Sequence, residues 1–411
     1  MKHNILYKYQ FGFRKGYSTD MALIEIVDNI KTAIDNNKYV CGIFLDLTKA
    51  FDTVNHQILL DKLHHYGVRG IVHNLFKSYL SNRKQFVKVN NTTSEYLPTN
   101  CGVPQGSVLG PLLFLIYVND IANLSPLGSI RLFADDTNIF IEHENIEQLQ
   151  IDAQSVLEYI YKWFGDNRLT VNTSKSNFSI FTTTYKRNNN LIPDSLVSNK
   201  GTILISDSTK YLGVTIDDNL NWKKHVNNVC NSLKSLFPIF YNIRKYLSDE
   251  QIKALYYTLV YSRIKYGLVV YGSSDSIIKP IQTLQNQLLK VLTEKPYRYS
   301  TNELHNELKL IKVCDICKQD ALSFVFNYYK NKLPSTFDNF FTLFSDIHGY
   351  CTRNRNHSFI LPQYSNNFGS SALKVEGVRL WNALDNEIKS KNTIKSFRKS
   401  LKETYLPYPV P

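Results

Sequence analysis

The chain has 411 residues, 43% hydrophobic and 20% charged, and its 48 Lys and Arg against 35 Asp and Glu give a net charge of +13. That length predicts two or three packed units, and the apolar content excludes collagen-like and disordered chains. Six cysteines in so long a chain exclude a disulfide framework, and no apolar run reaches the ~20 residues of a membrane span.

The first part of the sequence predicts short strands alternating with helices. Residues 40–47 form an apolar run after the turn signal Asn36-Asn37, which predicts a buried strand. Apolar residues at helical spacing predict helices over 54–66 and 71–80. Beyond them we expect a hairpin of residues 85–89 and 94–97, a loop over 102–106 and a helix over 107–121.

Two further strands, 130–134 and 138–141, bracket an acidic turn at Asp135-Asp136-Thr137. The remaining sequence becomes increasingly helical. We expect a helix over 144–164, a strand over 178–182, an exposed Asn-rich loop over 186–200, strands over 203–205 and 211–216, a helical region over 222–292 interrupted at Pro238, Ser248 and Gly272, and a basic helix over 394–405.

Three carboxylates occur among these apolar strands: Asp46, Asp135 and Asp136. An unpaired buried carboxylate is costly, so such a residue lies at a strand end, is paired, or binds metal. A turn Asp that caps its own backbone is the more frequent explanation of an isolated Asp-Asp pair. Two neighbouring strands with carboxylates at the same edge can instead hold two divalent cations ~4 Å apart, the arrangement for in-line displacement at phosphorus.

The positive charge is uneven along the chain. Basic and acidic side chains are equal in number over residues 1–150, so the excess lies in 151–411. Clustered Lys and Arg indicate a polyanionic partner. The N-terminal segment lacks the apolar core and cleavage site of a signal peptide, so we expect an intracellular protein with no membrane partner.

Motifs along nearly the whole chain resemble reverse transcriptases of non-LTR (LINE-type) retrotransposons of the jockey and CR1 kind. The closest resemblance is to the palm motifs of that family. The matching segments are FLDLTKAFD (44–52), GVPQGSVLGP (102–111) and FADD (133–136), preceded by QFGFRKGYST (10–19) and followed by WFGDNRLTVNTSK (163–175), KYLG (210–213) and RLWNAL (379–384).

The resemblance implies an α+β fold. A right-hand polymerase palm, an antiparallel sheet with packed helices, is expected at residues 1–220 with a remnant of fingers, then a helical thumb at 221–295 and a basic helical C-terminal region at 296–411. Family members usually have longer fingers and an upstream endonuclease. We therefore expect a truncated element or a gene model that begins at an internal Met, with weak or no activity of the isolated chain.

The resemblance also implies a metal site. Asp46 and Asp135 would hold two Mg²⁺ ions, with Mn²⁺ as an alternative, one at the primer 3′-hydroxyl and one on the triphosphate. Asp136 would assist near the primer, and the backbone carbonyl of Leu47 would complete the coordination. Mg²⁺ suits these ligands because it prefers carboxylate and phosphate oxygens.

Other residues take roles by the same resemblance. Phe51 would block a ribose 2′-hydroxyl, Gln105 and Gly106 would face the incoming nucleotide and template, Lys175 would protonate the pyrophosphate leaving group, and Arg14 would meet phosphate. For Gly106, the expected reason is that a side chain would obstruct close approach of the backbone. The alternatives are core packing for Phe51, an ordinary Pro-containing turn for 105–106, a solvated turn Lys and a surface salt bridge for Arg14.

The expected partners are an RNA template, a DNA primer and deoxynucleoside triphosphates, with the nucleus as the location; no protein partner is indicated. Lys, Arg and Tyr along residues 222–292 fit a thumb that grips the backbone of an RNA–DNA duplex. For any single Lys there, a solvated helix face is the favoured explanation, and only the total charge of +13 supports nucleic acid.

A possible zinc site consists of Cys314, Cys317, His348 and Cys351, whose ligand types and local spacing fit zinc. Half-sites this simple are common, and Cys314 and Cys317 lie at the start of an apolar helix. Zinc binding therefore stays open at this point.

Two functions from different classes follow. The first is an RNA-directed DNA polymerase that uses two metal ions, and the alternative is a catalytically inactive remnant that binds RNA or RNA–DNA duplex. A group II intron maturase is a weaker alternative because the FADD hairpin and the WNAL tail favour the retrotransposon family. A viral RNA-dependent RNA polymerase would more often place Gly before the Asp pair and would not need Phe51.

Overall fold

The computed structural model describes residues 5–189, 191–347 and 357–410. The chain divides into two compact units. The first contains the residues up to Ser18 together with Lys38–Thr209, and the second contains Thr19–Asn37 together with the chain from Lys210 onward. A stretch near the N-terminus therefore belongs to the second unit. The division of that unit into a thumb and a C-terminal region stays a prediction.

The helices, in chain order, are α1 (Thr19–Asp35), α2 (His56–His65), α3 (Gly70–Leu80), α4 (Leu109–Val118), α5 (Ile146–Asp166), α6 (Thr184–Asn189), α7 (Lys223–Lys234), α8 (Phe237–Ile243), α9 (Asp249–Leu255), α10 (Ser262–Lys265), α11 (Leu268–Tyr271), α12 (Asp275–Leu292), α13 (Thr301–Leu308), α14 (Val313–Tyr329), α15 (Phe344–Ile347), α16 (Asn367–Ser370), α17 (Leu373–Asn382), α18 (Asn386–Lys389) and α19 (Ile394–Tyr405). A 3-10 segment extends α4 over Asn119–Leu127, and a π-helical segment follows α9 over Tyr256–Tyr261.

The strands are β1 (Tyr39–Leu45), β2 (Lys84–Gln85), β3 (Lys88–Val89), β4 (Thr92–Thr93), β5 (Leu97–Pro98), β6 (Ser129–Phe133), β7 (Asp136–His143), β8 (Asn177–Phe181), β9 (Ser195–Ser198), β10 (Gly201–Ile205), β11 (Ser208–Tyr211) and β12 (Val214–Asp217).

A six-stranded sheet forms the centre of the first unit, in the order β6-β7-β1-β8-β10-β9. All neighbouring strands pair antiparallel except β8 and β10. Every residue of β1 is buried, as its uninterrupted apolar sequence predicts. Side chains from β1, β6 and β7 share one hydrophobic core with those of α2, α4 and α5. This arrangement confirms the predicted α+β class and holds the end of β1 firmly in place.

Most strands and helices lie where the sequence predicts them. The C-terminal helix has the predicted bounds, and the hairpin at residues 85–97 forms as two short paired pieces, β2 with β5 and β3 with β4. The prediction of a loop over 186–200 was wrong. This region contains the end of α6 and all of β9, because β9 pairs with β10 and buries Leu196 in the core. The strand predicted over 211–216 is divided by a turn in which Leu212 and Gly213 have positive φ.

The second unit is mainly helical, and aromatic side chains contribute much of its core. Trp381, Phe326 and Phe397 are buried where α14, α17 and α19 meet. Helix α1 joins this unit through buried charges. The carboxylate of Asp28 accepts hydrogen bonds from the backbone N–H groups of Leu373 and Lys374 at the start of α17. No helix in the described part of the chain is both long and apolar enough to cross a membrane.

Candidate active site

Antiparallel pairing brings Asp46 opposite Asp136. The last residue of β1, Leu45, pairs with Thr137 of β7. Asp46 follows Leu45 and Asp136 precedes Thr137, so one further step in the same antiparallel register places Asp46 opposite Asp136. Directly opposite residues in such a pair have Cα atoms roughly 4.5–5.5 Å apart. The strand end and the hairpin that were singled out in the sequence therefore meet at one edge of the sheet.

Asp135 lies in the tight turn between β6 and β7. Phe133 pairs with Asp136, which leaves Ala134 and Asp135 as a two-residue loop. Ala134 has φ 56°, a positive value that two-residue hairpin turns require and that Gly or Asn usually supplies. The predicted turn is thus displaced by one residue, since Asp136 and Thr137 already belong to β7.

Burial and nearby charge raise the pKa values of Asp135 and Asp136. Burial, followed by the charges of Asp135 and Asp46, raises the pKa of Asp136 to about 6. The pKa of Asp135 is also raised, first by burial and then by the charge of Asp46. Like charges held together at a partly buried edge destabilise each other's ionised form. A bound cation would remove that repulsion.

Backbone hydrogen bonds fix the position of Asp46, and its carboxylate lies near Lys175. Its N–H donates to Oγ of Ser176 at 3.1 Å, and its carbonyl accepts from the N–H of Asn172 at 2.8 Å. Nζ of Lys175 lies 3.9 Å from Oδ2 of Asp46, and the Lys175 side chain is 70% exposed against 38% for that of Asp46. Leu47 forms an isolated bridge with Val171. The two hydrogen bonds beside this bridge use the Asp46 carbonyl and the Thr48 N–H. Because backbone groups alternate in direction along a strand, the Leu47 carbonyl points away from Val171.

The loop that contains Gln105 lies beside the segment that follows β1. Nε2 of Gln105 donates to Oδ1 of Asp52 at 2.8 Å, and the N–H of Val103 donates to the carbonyl of Phe51 at 2.9 Å. Phe51 is half-buried. Gly106 has φ +78°, and a Cβ added there would meet no described atom within 4 Å. The glycine is therefore required by its backbone conformation, and the expected crowding is absent among the described residues.

A polar cavity of about 550 Å³ opens beside this loop. Its lining includes Lys49, Arg83 and Lys84 together with Asp52 and Gln105. Three cationic side chains and hydrogen-bonding groups in one cavity of the first unit form a surface to which phosphate groups are attracted.

Arg14 and Gln10 both anchor the N-terminal segment. One guanidinium nitrogen of Arg14 donates to the carbonyls of Tyr7 and Gln10, and the guanidinium lies over the ring of Tyr17. Burial lowers the pKa of Arg14. Gln10 is 1% exposed, and its amide contacts the backbone of Ala134 in the acidic turn. The sequence predicts no role for Gln10, because nothing in the local pattern reveals a contact made 124 residues away.

The donor set suits a hard divalent cation. Among residues 5–189, 191–347 and 357–410, no three His, Cys, Asp or Glu side chains already surround one point as ligands of a single ion. Mg²⁺ does not need such a cage, because it binds through one or two carboxylates, substrate phosphates and waters. Neighbouring carboxylates, of which Asp135 and Asp136 have pKa values raised first of all by burial, fit that mode of binding.

Of the four possible zinc ligands, the structure describes Cys314 and Cys317. His348 and Cys351 lie outside the described residues. Cys317 is buried on α14, and its thiol donates to the carbonyl of Leu268. Burial raises the pKa of Cys317 to about 12. A thiol in this setting resists the deprotonation that zinc ligation requires.

The sequence as a whole matches a family that acts on nucleic acid. The family model described as "Reverse transcriptase (RNA-dependent DNA polymerase)" matches residues 1–216. The chain belongs to the reverse transcriptase family. Members of this family generally depend on divalent metal ions.

The relatives confirm the resemblance to non-LTR retrotransposons. The chain is similar to the probable RNA-directed DNA polymerase from transposon X-element of Drosophila melanogaster, with 32% identity over 75% of this chain and 34% of the relative. It is also similar to the RNA-directed DNA polymerase from mobile element jockey of that species, with 28% identity over 79% of this chain and 36% of the relative. This reverse transcriptase chain thus spans about a third of the length of these relatives.

A solved structure gives a more distant similarity. The telomerase of Candida albicans in complex with a TWJ fragment of telomeric RNA matches with a TM-score of 0.41 and 11% identity, over 74% of this chain and 54% of that one. A similarity at this level supports no conclusion about the site.

Proposed function

We propose that this chain catalyses RNA-directed DNA synthesis at the edge formed by β1 and β7. The observation that carries the proposal is the pairing of β1 with β7, which brings Asp46 opposite Asp136 with Asp135 on the adjoining turn. Two Mg²⁺ ions, or Mn²⁺ in their place, would activate the primer 3′-hydroxyl and stabilise charge on the triphosphate. The substrates would be an RNA template, a DNA primer and deoxynucleoside triphosphates.

Different residues of the chain would bind the cations and donate the proton. Asp46 and Asp135 would hold both cations, Asp136 would assist on the primer side, and the Leu47 carbonyl would supply a further oxygen. Lys175 would give a proton to the departing pyrophosphate, and its ammonium group, 3.9 Å from Oδ2 of Asp46, supports this role.

The nucleotide and template would lie against the neighbouring loop. Phe51 would exclude a ribose 2′-hydroxyl by its bulk, and Gln105 and Gly106 would face the base pair being formed. The hydrogen bond from Gln105 to Asp52 supports this assignment because it orients the loop toward the segment that carries Phe51. Arg14 is engaged with backbone carbonyls, so its expected contact with phosphate would need a different rotamer.

Primer extension on an RNA template tests the proposal. The full chain should add deoxynucleotides in the presence of Mg²⁺, and Asp135→Asn should abolish addition because it removes a cation ligand. Asp166→Asn is a matched control, since it removes the same charge from an exposed position at the end of α5. Both variants should unfold at temperatures close to that of the original chain.

The alternative function predicts a different result. A catalytically inactive chain would retain RNA or RNA–DNA duplex on a filter but incorporate no nucleotide with any divalent ion. Equal incorporation by Asp135→Asn and the original chain would contradict the assignment of the site.

The basic helices of the second unit would supply affinity for the duplex backbone. Several of their charges are already engaged, since Lys265 pairs with Asp320 and Arg244 with Glu294. Lys234 and Lys245 are exposed, and Tyr246 next to Lys245 exposes 84% of its surface. Exposed Lys and Tyr side chains together suit nucleic acid, because Lys attracts phosphate and rings stack on bases.

Salt dependence tests this second part of the proposal. The double variant Lys234→Gln, Lys245→Gln should weaken binding of an RNA–DNA duplex and reduce the slope of log K against log salt by about 2. Lys162→Gln, which removes an exposed charge from α5, is the control. A binding constant that does not change with salt would exclude these helices as the phosphate-binding surface.

A further inference from the structure

The acidic turn is held by a side chain that lies far away in sequence. Oε1 of Gln10 accepts hydrogen bonds from the N–H of Ala134 at 3.0 Å and from the N–H of Gly12 at 2.8 Å. Nε2 of Gln10 lies 3.4 Å from the Ala134 carbonyl, to which it donates. The amide of Gln10 therefore pairs with both backbone polar groups of the residue that precedes Asp135.

The backbone around Gln10 fixes this contact from both sides. The N–H of Phe11 donates to the carbonyl of Leu132 at 2.8 Å, and the N–H of Leu132 donates to the carbonyl of Tyr9 at 3.0 Å. This short bridge runs parallel to β6 at the outer edge of the sheet. A Cβ added to Gly12 would lie 2.4 Å from the nitrogen of Ala134. Only glycine allows the segment to press so closely against the turn.

The turn needs such support. Ala134 has φ 56°, a left-handed backbone conformation that strains any residue with a Cβ. In a two-residue hairpin loop, the N–H of the first loop residue has no partner in the strand ladder. Gln10 satisfies this N–H in a buried setting, so a turn that would otherwise relax is held in one conformation.

We propose that Gln10 is a positioning residue that fixes Asp135 relative to Asp46. It acts through the backbone of Ala134 and does not touch substrate. The inference rests on the proposed function, because it assigns the Gln10 amide the task of keeping the carboxylate edge ready for a divalent cation. Supporting contacts of this kind typically change metal affinity by roughly 10- to 100-fold when removed.

Gln10→Met tests the inference because it keeps the shape of the side chain and removes the amide. Binding of Mn²⁺ to the full chain, followed by electron paramagnetic resonance, should be roughly 10- to 100-fold weaker at the site that Asp135→Asn abolishes. Gly12→Ala should weaken Mn²⁺ binding in the same way, since its Cβ must displace the turn while the amide of Gln10 remains.

Asn119→Ala is the matched control. Asn119 also anchors the N-terminal segment, through the N–H of Tyr7 and the carbonyl of Ile5, and has no hydrogen bond to the acidic turn. It should lower the thermal unfolding temperature and leave Mn²⁺ affinity unchanged. An Mn²⁺ affinity in Gln10→Met within twofold of the original chain would overturn the positioning role.

Hydrogen exchange supplies a readout that needs no metal. The N–H of Ala134 should exchange slowly in the original chain, and faster in Gln10→Met but not in Asn119→Ala. Rapid exchange of this N–H in the original chain would overturn the contact itself. Absence of any Mn²⁺ site that depends on Asp135 would count against the proposed function, and exchange would still decide whether Gln10 holds the turn.

Discussion

The ring of Phe51 stacks on the ring of Phe114, with centroids 4.3 Å apart and planes 25° from parallel. Phe114 is fully buried in α4, whereas Phe51 is only half-buried and also meets the edge of the Phe13 ring. Packing therefore restrains one face of Phe51 and leaves part of the ring accessible. Both the packing role and the expected role against a ribose hydroxyl are compatible with this position, and the two can be separated by experiment.

Replacing Phe51 with Val should relax the choice of sugar. We expect incorporation of ribonucleotides relative to deoxynucleotides to rise by roughly 10- to 200-fold, because the bulk that opposes the 2′-hydroxyl is removed. The measurement is steady-state addition of single nucleotides to a primer. Phe164→Leu, which replaces a buried ring elsewhere in the first unit with a smaller side chain, should lower stability without altering sugar preference. Unchanged preference in Phe51→Val would leave core packing as the sole role.

Replacing Lys175 with Met should slow the chemical step. If the ammonium group protonates pyrophosphate, the rate of nucleotide addition should fall by roughly 10²- to 10⁴-fold, the usual contribution of general acid catalysis. The stability should hardly change, because exposed ion pairs such as that of Lys175 with Asp46 contribute little. Single-turnover kinetics and thermal unfolding provide the two measurements. Equal rates in Lys175→Met and the control Lys162→Met would show that Lys175 is a solvated turn residue.

The stability of the metal-free chain should depend on pH through Asp136. Burial and the charges of Asp135 and Asp46 raise its pKa to about 6. An acid whose pKa rises on folding stabilises the fold while protonated, so its contribution is complete below about pH 4 and is lost as the pH rises through 6. Asp136→Asn should therefore stabilise the metal-free chain at pH 8 by about 1–3 kcal/mol.

This gain should shrink as the pH falls from 8 to 5, because Asp136 then becomes protonated in the folded chain. Added Mg²⁺ should also reduce it, since a cation stabilises the ionised carboxylate. Thermal unfolding at several pH values, with and without MgCl₂, measures both effects. A gain that is the same at pH 8 and pH 5 would show that Asp136 does not titrate in this range.

The sequence predicted those features that depend on local pattern. The strand predicted over 40–47 forms over Tyr39–Leu45, where the sequence carries no charged residue, and it ends just before Asp46. The order of the motifs indicated that Asp46 and Asp135 belong to one site. The features that were missed depend on distant contacts. Strand β9 forms because β10 pairs with it, which an Asn-rich stretch does not reveal. The contact of Gln10 with the acidic turn likewise arises only when the N-terminal segment aligns with β6.

Removing Asp28 should destabilise the second unit. Asp28 and Lys31 are 3% and 4% exposed, and Nζ of Lys31 donates to the carbonyl of Ser371 at 2.9 Å. Burial raises the pKa of Asp28, partly offset by the charges of Lys374 and then Lys31, and it lowers the pKa of Lys31, partly offset by the charge of Asp28. Asp28→Ala should cost about 3–5 kcal/mol because it leaves a buried charge without compensation.

The double variant Asp28→Asn, Lys31→Met should lose less stability than Asp28→Ala, since it leaves no buried charge. Urea unfolding of the full chain measures both variants. A double variant less stable than Asp28→Ala would show that the hydrogen bonds of Asp28 to Leu373 and Lys374 outweigh the electrostatic compensation.

The place of α1 in the second unit has a consequence for synthesis on the ribosome. Asp28 and its partner Leu373 are 345 residues apart. At translation rates of 5–20 residues per second, roughly 20–70 s pass between the appearance of one and of the other. During that interval α1 is joined to β1 of the first unit, which follows it directly in the sequence. The residues of α17 that bury Asp28 of α1 have not yet been synthesised. The second unit therefore cannot be completed before Leu373 has been synthesised, and until then the buried face of α1 lacks the partner surface that α17 supplies.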